Sequence, residues 1–443
     1  MDLKSLLELV ENKDYVKLKA EILDLQEADV AELLDELEVK TAVILYRMIP
    51  KEMAAEVFSF LDVEKQAEIS LLVTDEELNQ IVDELYFDDK IDLIEEMPAG
   101  VVKKILKNST VVERRLINQF LKYEDNSAGS LMTIEFVHLK ANMTVADAMV
   151  HIKRTGISKE TIYTCYVTDE KRELTGVVTL KELVLAEDDL IISELMEHDL
   201  IYVQTHDDQE VIANIFKKYD FLSLPVVDNE SRIVGIITID DVVDVIEEET
   251  TEDFQKMAAI NPSDEEYMDV RSFDLAKRRV GWLVILMFSA TISEYIMKSN
   301  NYLTSQFIIL SAMVPMLMST GGNAGAQSST LVIRGLTLGE IAFTDIYSVI
   351  WKEIKVGLII GGTLGVLNFL RILVTSQDIH LAFIVGLTLV GTSVTATSMG
   401  SMLPILAKKA GLDPATMASP LITTITDALT LIIFFAISAI ILI

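Results

Sequence analysis

Charge and hydrophobicity are segregated along this chain so sharply that no single water-soluble core can be built from it. Residues 276 to 443 hold ten Lys or Arg and seven Asp or Glu, while residues 1 to 275 hold the other 27 of 37 basic and 62 of 69 acidic side chains. The first part carries −35 and the second +3. At 443 residues the chain also exceeds what one core organises, so several domains are expected, acidic and soluble first, membrane-embedded last. An acidic surface of that density repels nucleic acid and anionic lipid, and draws cations into any cleft it lines. The lone Cys165 precludes a disulfide within the chain, and five scattered histidines leave no soft-metal site. Oxygen ligation is what remains. Met1 opens an amphipathic acidic stretch rather than a signal peptide, so the N-terminus is expected in the cytoplasm.

Residues 1–127 read as an acidic, all-α N-terminal domain. Four of its segments, Ala55 to Leu61, Ala67 to Val73, Asn79 to Leu85 and Ile91 to Met97, recur at a twelve-residue step. Helices that short cannot bury their faces alone, so they are expected to stack into a superhelix. Over 128–250 the pattern changes to short β-branched runs separated by helices, and it occurs twice. The run Leu174 to Val184 matches Ile233 to Val243 at a 59-residue offset that also aligns Asp169 with Asp228. Strand, Gly, strand and a Thr-initiated helix make a tandem α/β unit. This duplication resembles a pair of cystathionine-β-synthase-type (CBS) domains. The resemblance implies a dimerising regulatory module, with ATP a candidate ligand.

A helix expected to start near residue 240 leads through a connecting region, 251–275, toward the membrane. It carries Asp240, Asp241, Asp244, Glu247, Glu248, Glu249, Glu252 and Asp253, so a cationic group should sit against it. Residues 276–443 form the membrane part, with five spans expected at about 280–297, 303–333, 349–373, 381–407 and 419–443. Arg271, Lys277, Arg278, Arg279, Arg334, Lys352, Lys355, Lys408 and Lys409 fall on one side, and only Lys298 and Arg371 on the other. The positive-inside rule then places the acidic part in the cytoplasm and the C-terminus outside.

Two features of the membrane part carry chemistry. In Pro315 to Gln327, Gly321, Gly322, Asn323 and Gln327 interrupt an apolar helix, which is tolerable where the segment packs on protein or lines a wet cavity. Asp427 lies inside the last span, preceded at helical spacing by Thr423 and Ser419. A carboxylate at membrane depth costs roughly 2.5 to 3.5 kcal/mol on insertion scales, so it is kept for a reason, with function favoured over a structural hydrogen bond between helices that a neutral Asn would supply equally well. Glu294, near the end of the first span, reads as interfacial. One Asp makes a poor ion site, but two brought together across a twofold axis put −2 on a pore axis, which calls for a homodimer. Carboxylates that contact a hydrated cation through its waters suit Mg²⁺, although Ca²⁺ or Mn²⁺ satisfies the same physics.

Together the acidic helical domain, CBS pair, connecting helix, five spans, Gly-Gly-Asn-x-Gly-x-Gln run and final-span Asp resemble an MgtE-type magnesium channel. The resemblance covers essentially the whole chain. It implies a plug helix that closes the pore when cytoplasmic Mg²⁺ is plentiful. It also implies sensing acids at Glu56, Asp88, Asp92, Glu210, Asp220, Asp241, Asp244, Glu249, Glu252 and Asp253, and a pore carboxylate at Asp427. Nucleotide-contacting positions of some members fall on Lys181 and Glu182, and Ser419 stands where some carry Asn. A secondary transporter coupled to H⁺ or Na⁺, and a membrane-anchored sensor that moves no ion, are the rival readings. Against the first stand a single deeply placed titratable group and no plain internal repeat among the spans. No nucleophile–base pair or phosphate loop points to an enzyme.

Overall fold

A computed structural model describes residues 3–263, 267–268, 270–417 and 419–442, with side chains for all of these except residues 3–5, 11, 52 and 419. Two compact units divide the chain, Met1–Ile246 and Glu247–Ile443.

The first unit opens with ten helices, α1 (Leu3–Glu11), α2 (Tyr15–Ile22), α3 (Glu27–Asp35), α4 (Val39–Tyr46), α5 (Lys51–Ser59), α6 (Val63–Leu72), α7 (Asp75–Glu84), α8 (Phe87–Glu96), α9 (Ala99–Asn108) and α10 (Val111–Phe120). Each starts twelve residues after the last. The four segments read from the sequence are thus the middle of a longer array. Local chemistry sets the punctuation. Pro50 and Pro98 precede α5 and α9, while Thr74 and Thr110 close capping boxes with Glu77 and Glu113 at α7 and α10. Odd-numbered helices pack in a row, α1 on α3, α3 on α5, α5 on α7 and α7 on α9. Leu18, Phe58, Leu78 and Val101 are fully buried between them.

After the four-residue α11 (Ala128–Leu131) come two three-stranded sheets of one design. In the first, β1 (Val137–Lys140) lies parallel to β2 (Thr164–Thr168), which pairs antiparallel with β3 (Leu174–Thr179). In the second, β4 (Val203–Gln204), β5 (Ser223–Val227) and β6 (Ile233–Thr238) repeat that order. Helices α12 (Val145–Thr155), α13 (Leu180–Leu185), α14 (Ile192–Leu195), α15 (Gln209–Tyr219) and the start of α16 (Ile239–Met257) accompany the strands. The 59-residue offset holds in backbone detail. Register shifts fall at Val167/Thr168 and Val226/Val227, and Arg172 and Ser231 both have positive φ. Asp169 and Asp228 each accept two backbone N–H bonds in the following turn, so their alignment is explained by hairpin geometry. An isolated antiparallel backbone bridge joins residues Glu173 and Arg232 where the two repeats meet.

The second unit contains α17 (Ser272–Ser299), short α18 (Asn301–Gln306), α19 (Ile308–Thr337), α20 (Ile346–Thr375), α21 (Ile379–Lys409) and α22 (Ser419–Leu442). Four of these, α17, α20, α21 and α22, are long and apolar enough to cross a membrane. The fifth long helix, α19, falls short on hydropathy because of its Ser319 to Gln327 run, yet it is continuous through that run. The glycines there do not break the helix because each is packed. A Cβ on Gly321 would stand 2.6 Å from Thr392 and 2.7 Å from Thr430, and one on Gly322 would stand 2.7 Å from Thr423. Gly357, Gly361 and Gly365 bring α20 against the backbone of α21 in the same way. Helix α17 packs on α22 but has no buried residue among those described.

Candidate functional site

Six carboxylates gather within the first unit. Asp88, Asp89 and Asp92 stand on α8, Asp240 and Asp241 on the first turn of α16, and Glu160 in the segment before β2. Two helix N-termini supply four of them, a placement the helix dipole favours. Burial raises Asp88 well above the usual carboxylate range, and Asp241, Asp89 and Glu160 add to it. Burial followed by Asp240 pushes Glu160 to about 8, and the same two causes push Asp241 to about 7 and Asp89 to about 6. Asp92 is pushed to about 7 by burial and by Asp89. Its side chain is open to solvent, so water relieves that push more than it does for Asp88, which is 9% exposed.

Among the described residues no Lys or Arg pairs with any of the six. Thr238 donates to Asp241 Oδ2 at 2.9 Å and contacts Asp240, while Glu160 Oε2 is buried without a hydrogen-bond partner. The arrangement concentrates negative charge without closing on a point. Among the described residues no three His, Cys, Asp or Glu side chains are placed to enclose a metal ion.

Of the acids named from the sequence, Asp88, Asp92 and Asp241 belong to this group, and Glu56 acts with Glu160, Glu135 and Asp88 on the nearby Tyr86. Asp244 follows on α16, and Glu210 is exposed in the first turn of α15. Glu249, Glu252 and Asp253 fall in the second unit. There Lys256, on α16 itself, pairs with Glu252 at 2.6 Å and with Asp413 at 2.7 Å. Asp253 is pushed up by burial and by Asp413, while the Thr337 hydroxyl eases it. Asp89 and Glu160 were missed, and Asp240 was named on the acidic helix but not among the sensing acids. Asp89 and Asp240 adjoin named acids, but a lone Glu160 in a loop gives no signal in sequence.

Asp220 lies elsewhere, at the left-handed end of α15, and lines a cleft of about 980 Å³ between the two sheets' repeats. Tyr163, Thr179, Lys181, Tyr219 and Phe221 also line it. Aromatic faces beside one cation and several hydroxyls suit a purine with an anionic tail. Lys181 is exposed, and among the described residues it makes no ion pair that would divert it from such a tail. Glu182 is committed to capping, accepting from Thr179 N at 2.7 Å and Thr179 Oγ1 at 2.8 Å.

In the second unit α19 is held between α21 and α22. Gly321 and Gly322 are buried in that packing, whereas Asn323 and Gln327 are exposed on the opposite face. Asp427 is half-buried on α22, with Oδ1 inaccessible and without a hydrogen-bond partner. Thr423 is half-buried one turn before it, and the side chain of Ser419 lies outside the described residues. Glu294 pairs with Lys298 one turn along α17. Asp427 is not the only acid in an apolar helix. Glu353 of α20 is half-buried and accepts from Ser328 Oγ at 2.8 Å. It was overlooked because Lys352 and Lys355 on either side read as a membrane boundary.

Comparison with known proteins matches three family models. They are the MgtE intracellular N domain over residues 25–126, the CBS domain over 128–189 and 192–248, and the divalent cation transporter MgtE over 314–437. The magnesium transporter MgtE of Thermus thermophilus is 36% identical over 99% of this chain and 98% of its own. That of Bacillus subtilis is 30% identical over 97% and 98%. Among solved structures, the cytosolic domain of the Mg²⁺ channel MgtE in complex with ATP is 35% identical. It aligns with a TM-score of 0.52 and covers 55% of this chain and 100% of that one. The soluble part of a magnesium transporter gives 0.52 at 31% identity, covering 56% and 97%.

Proposed function

Because the chain belongs to the MgtE family of magnesium transporters, we propose that it is a Mg²⁺ channel, homodimeric in the cell membrane, closed by Mg²⁺ on its cytoplasmic side. The observation that carries the reading is Asp427, a carboxylate with an unpartnered oxygen inside an apolar helix. Two copies across a twofold axis would meet a hydrated cation with −2, touching it through its waters. The exposed amides Asn323 and Gln327 support a wet or protein-covered surface on α19, since neither can rest in hydrocarbon. The bare α17 supports cover by lipid and a second subunit. The basic loops would lie with the first unit in the cytoplasm and the C-terminus outside.

For gating, the acids of the first unit, Glu56, Asp88, Asp92, Glu210, Asp220, Asp241 and Asp244, are the sensing set. Glu249, Glu252 and Asp253 extend it along α16, which acts as the plug. Mg²⁺ can close the pore only to the extent that it binds the closed arrangement more tightly than the open one. The aromatic cleft beside Lys181 is the place for ATP, which the related cytosolic domain was solved with.

The test of conduction is Mg²⁺ uptake into liposomes holding wild type or Asp427→Asn. Uptake is expected to collapse in the variant, and equal uptake would overturn the site. Dependence of wild-type uptake on an imposed H⁺ or Na⁺ gradient would favour coupled transport instead. Single-channel recording with rising cytoplasmic-side Mg²⁺ tests gating, and an open probability that does not fall removes that half.

A further inference from the structure

Helix α19 has an unusual mechanical problem. At the level of Gly321, Gly322 and Gly325 its inner face carries no side chains of its own and receives Thr392, Thr423 and Thr430 from α21 and α22, while Leu310, Val314, Leu317, Val332 and Ile333 are buried toward its two ends. Glycine contacts allow close approach but resist rotation and sliding poorly, because ridges and grooves need side chains. Yet the direction in which Asn323 and Gln327 point depends on that rotation, since neighbouring helical residues differ by about 100°.

At the glycine level a set of polar contacts adds a directional tie to that packing. Ser328, next in the chain after Gln327 and 3% exposed, places its Oγ 2.8 Å from Glu353 Oε2 on α20 and 2.9 Å from the Thr397 carbonyl oxygen on α21. The single hydroxyl proton serves one of these acceptors at a time. The Thr397 hydroxyl in turn donates to the Glu353 backbone carbonyl at 3.0 Å. Three helices are thereby tied at one level, and among the described residues Glu353 makes no ion pair that would divert its carboxylate. Lys355 turns away over the Trp351 ring.

We propose that Glu353 is a positioning residue of the transport path, fixing the rotation of α19 through Ser328 and so aiming Asn323 and Gln327. This rests on the reading that the amide face of α19 belongs to the path. Interhelical hydrogen bonds in membranes are modest, so the expected effects are about threefold to tenfold.

The experiment uses the full chain in liposomes, with Gln327→Cys labelled by a membrane-impermeant maleimide and Mg²⁺ uptake measured alongside. Cys165 is buried, so wild type supplies the labelling blank. Glu353→Leu and Ser328→Ala should each change the labelling rate and lower uptake, while Glu353→Gln, which keeps an acceptor for Ser328, should restore both. Wild-type behaviour of Glu353→Leu overturns the proposal. So does a folded Glu353→Gln as impaired as Glu353→Leu, because charge and not the Ser328 bond would then be at work. If Glu353→Leu does not assemble, Ser328→Ala removes the same bond from the other side and carries the same expectation. Normal uptake by Asp427→Asn would defeat the path reading alone, and the labelling series would still decide the role of Glu353.

Discussion

Asp35 closes α3 with one carboxylate oxygen, Oδ1, buried and without a hydrogen-bond partner. Burial and then the Asp62 charge push it from 3.8 to about 6, Glu36 adds a little, and the Asp62 backbone N–H and then Lys65 oppose them. A carboxyl whose folded pKa lies above its unfolded one binds more protons when folded, so stability falls as pH rises between those values and the deficit persists above them. Asp35→Asn should therefore raise the first unfolding transition of the full protein at about pH 8 and leave it nearly unchanged near pH 4. Equal shifts at both pH values would show that packing, not charge, was altered. Single residues such as this are invisible in sequence, because the acidic majority looks uniform until burial selects a few. Asp427 is the exception. Its apolar neighbours in the chain are also its surroundings in space, so its cost could be seen without coordinates.

Among the elements, contacts between helices turn on where a side chain can fit. At Gly400 a Cβ would stand 2.2 Å from the Gly325 carbonyl oxygen, a backbone atom that cannot swing aside, whereas at Gly362 nothing lies within 4 Å. Gly400→Ala is expected to destabilise the packing of α19 and α21 by about 1–3 kcal/mol, the usual cost of overpacking. Gly362→Ala should be neutral or stabilising by up to about 1 kcal/mol, since alanine loses less backbone entropy in a helix. Thermal unfolding in detergent distinguishes the two, and an unaffected Gly400→Ala would contradict the close approach of α19 and α21. The helical period of α19 and the presence of its glycines were legible in the chain. Which partner each glycine meets was not, because periodicity names a face without naming its neighbour.

For the whole molecule, the repelling acids of the first unit predict a response to ions. A ligand that binds the folded state alone stabilises it by mass action, so millimolar Mg²⁺ should raise the unfolding temperature of the full chain. Asp88→Asn combined with Asp241→Asn should start from a higher melting temperature in chelator and gain less from Mg²⁺. An undiminished gain would place the ions elsewhere. The charge partition, the twelve-residue helical step, the 59-residue duplication and the placing of Asp427 in an apolar helix were all determined by the sequence alone, because each is a pattern among residues near one another or repeated along the chain. Only the tertiary structure decided that Asp89, Glu160 and Asp240 join Asp88 and Asp241, that Asp220 faces the aromatic cleft, and that Glu353 holds Ser328. Those pairings join residues far apart in the chain, and packing, which no local period encodes, chooses among them.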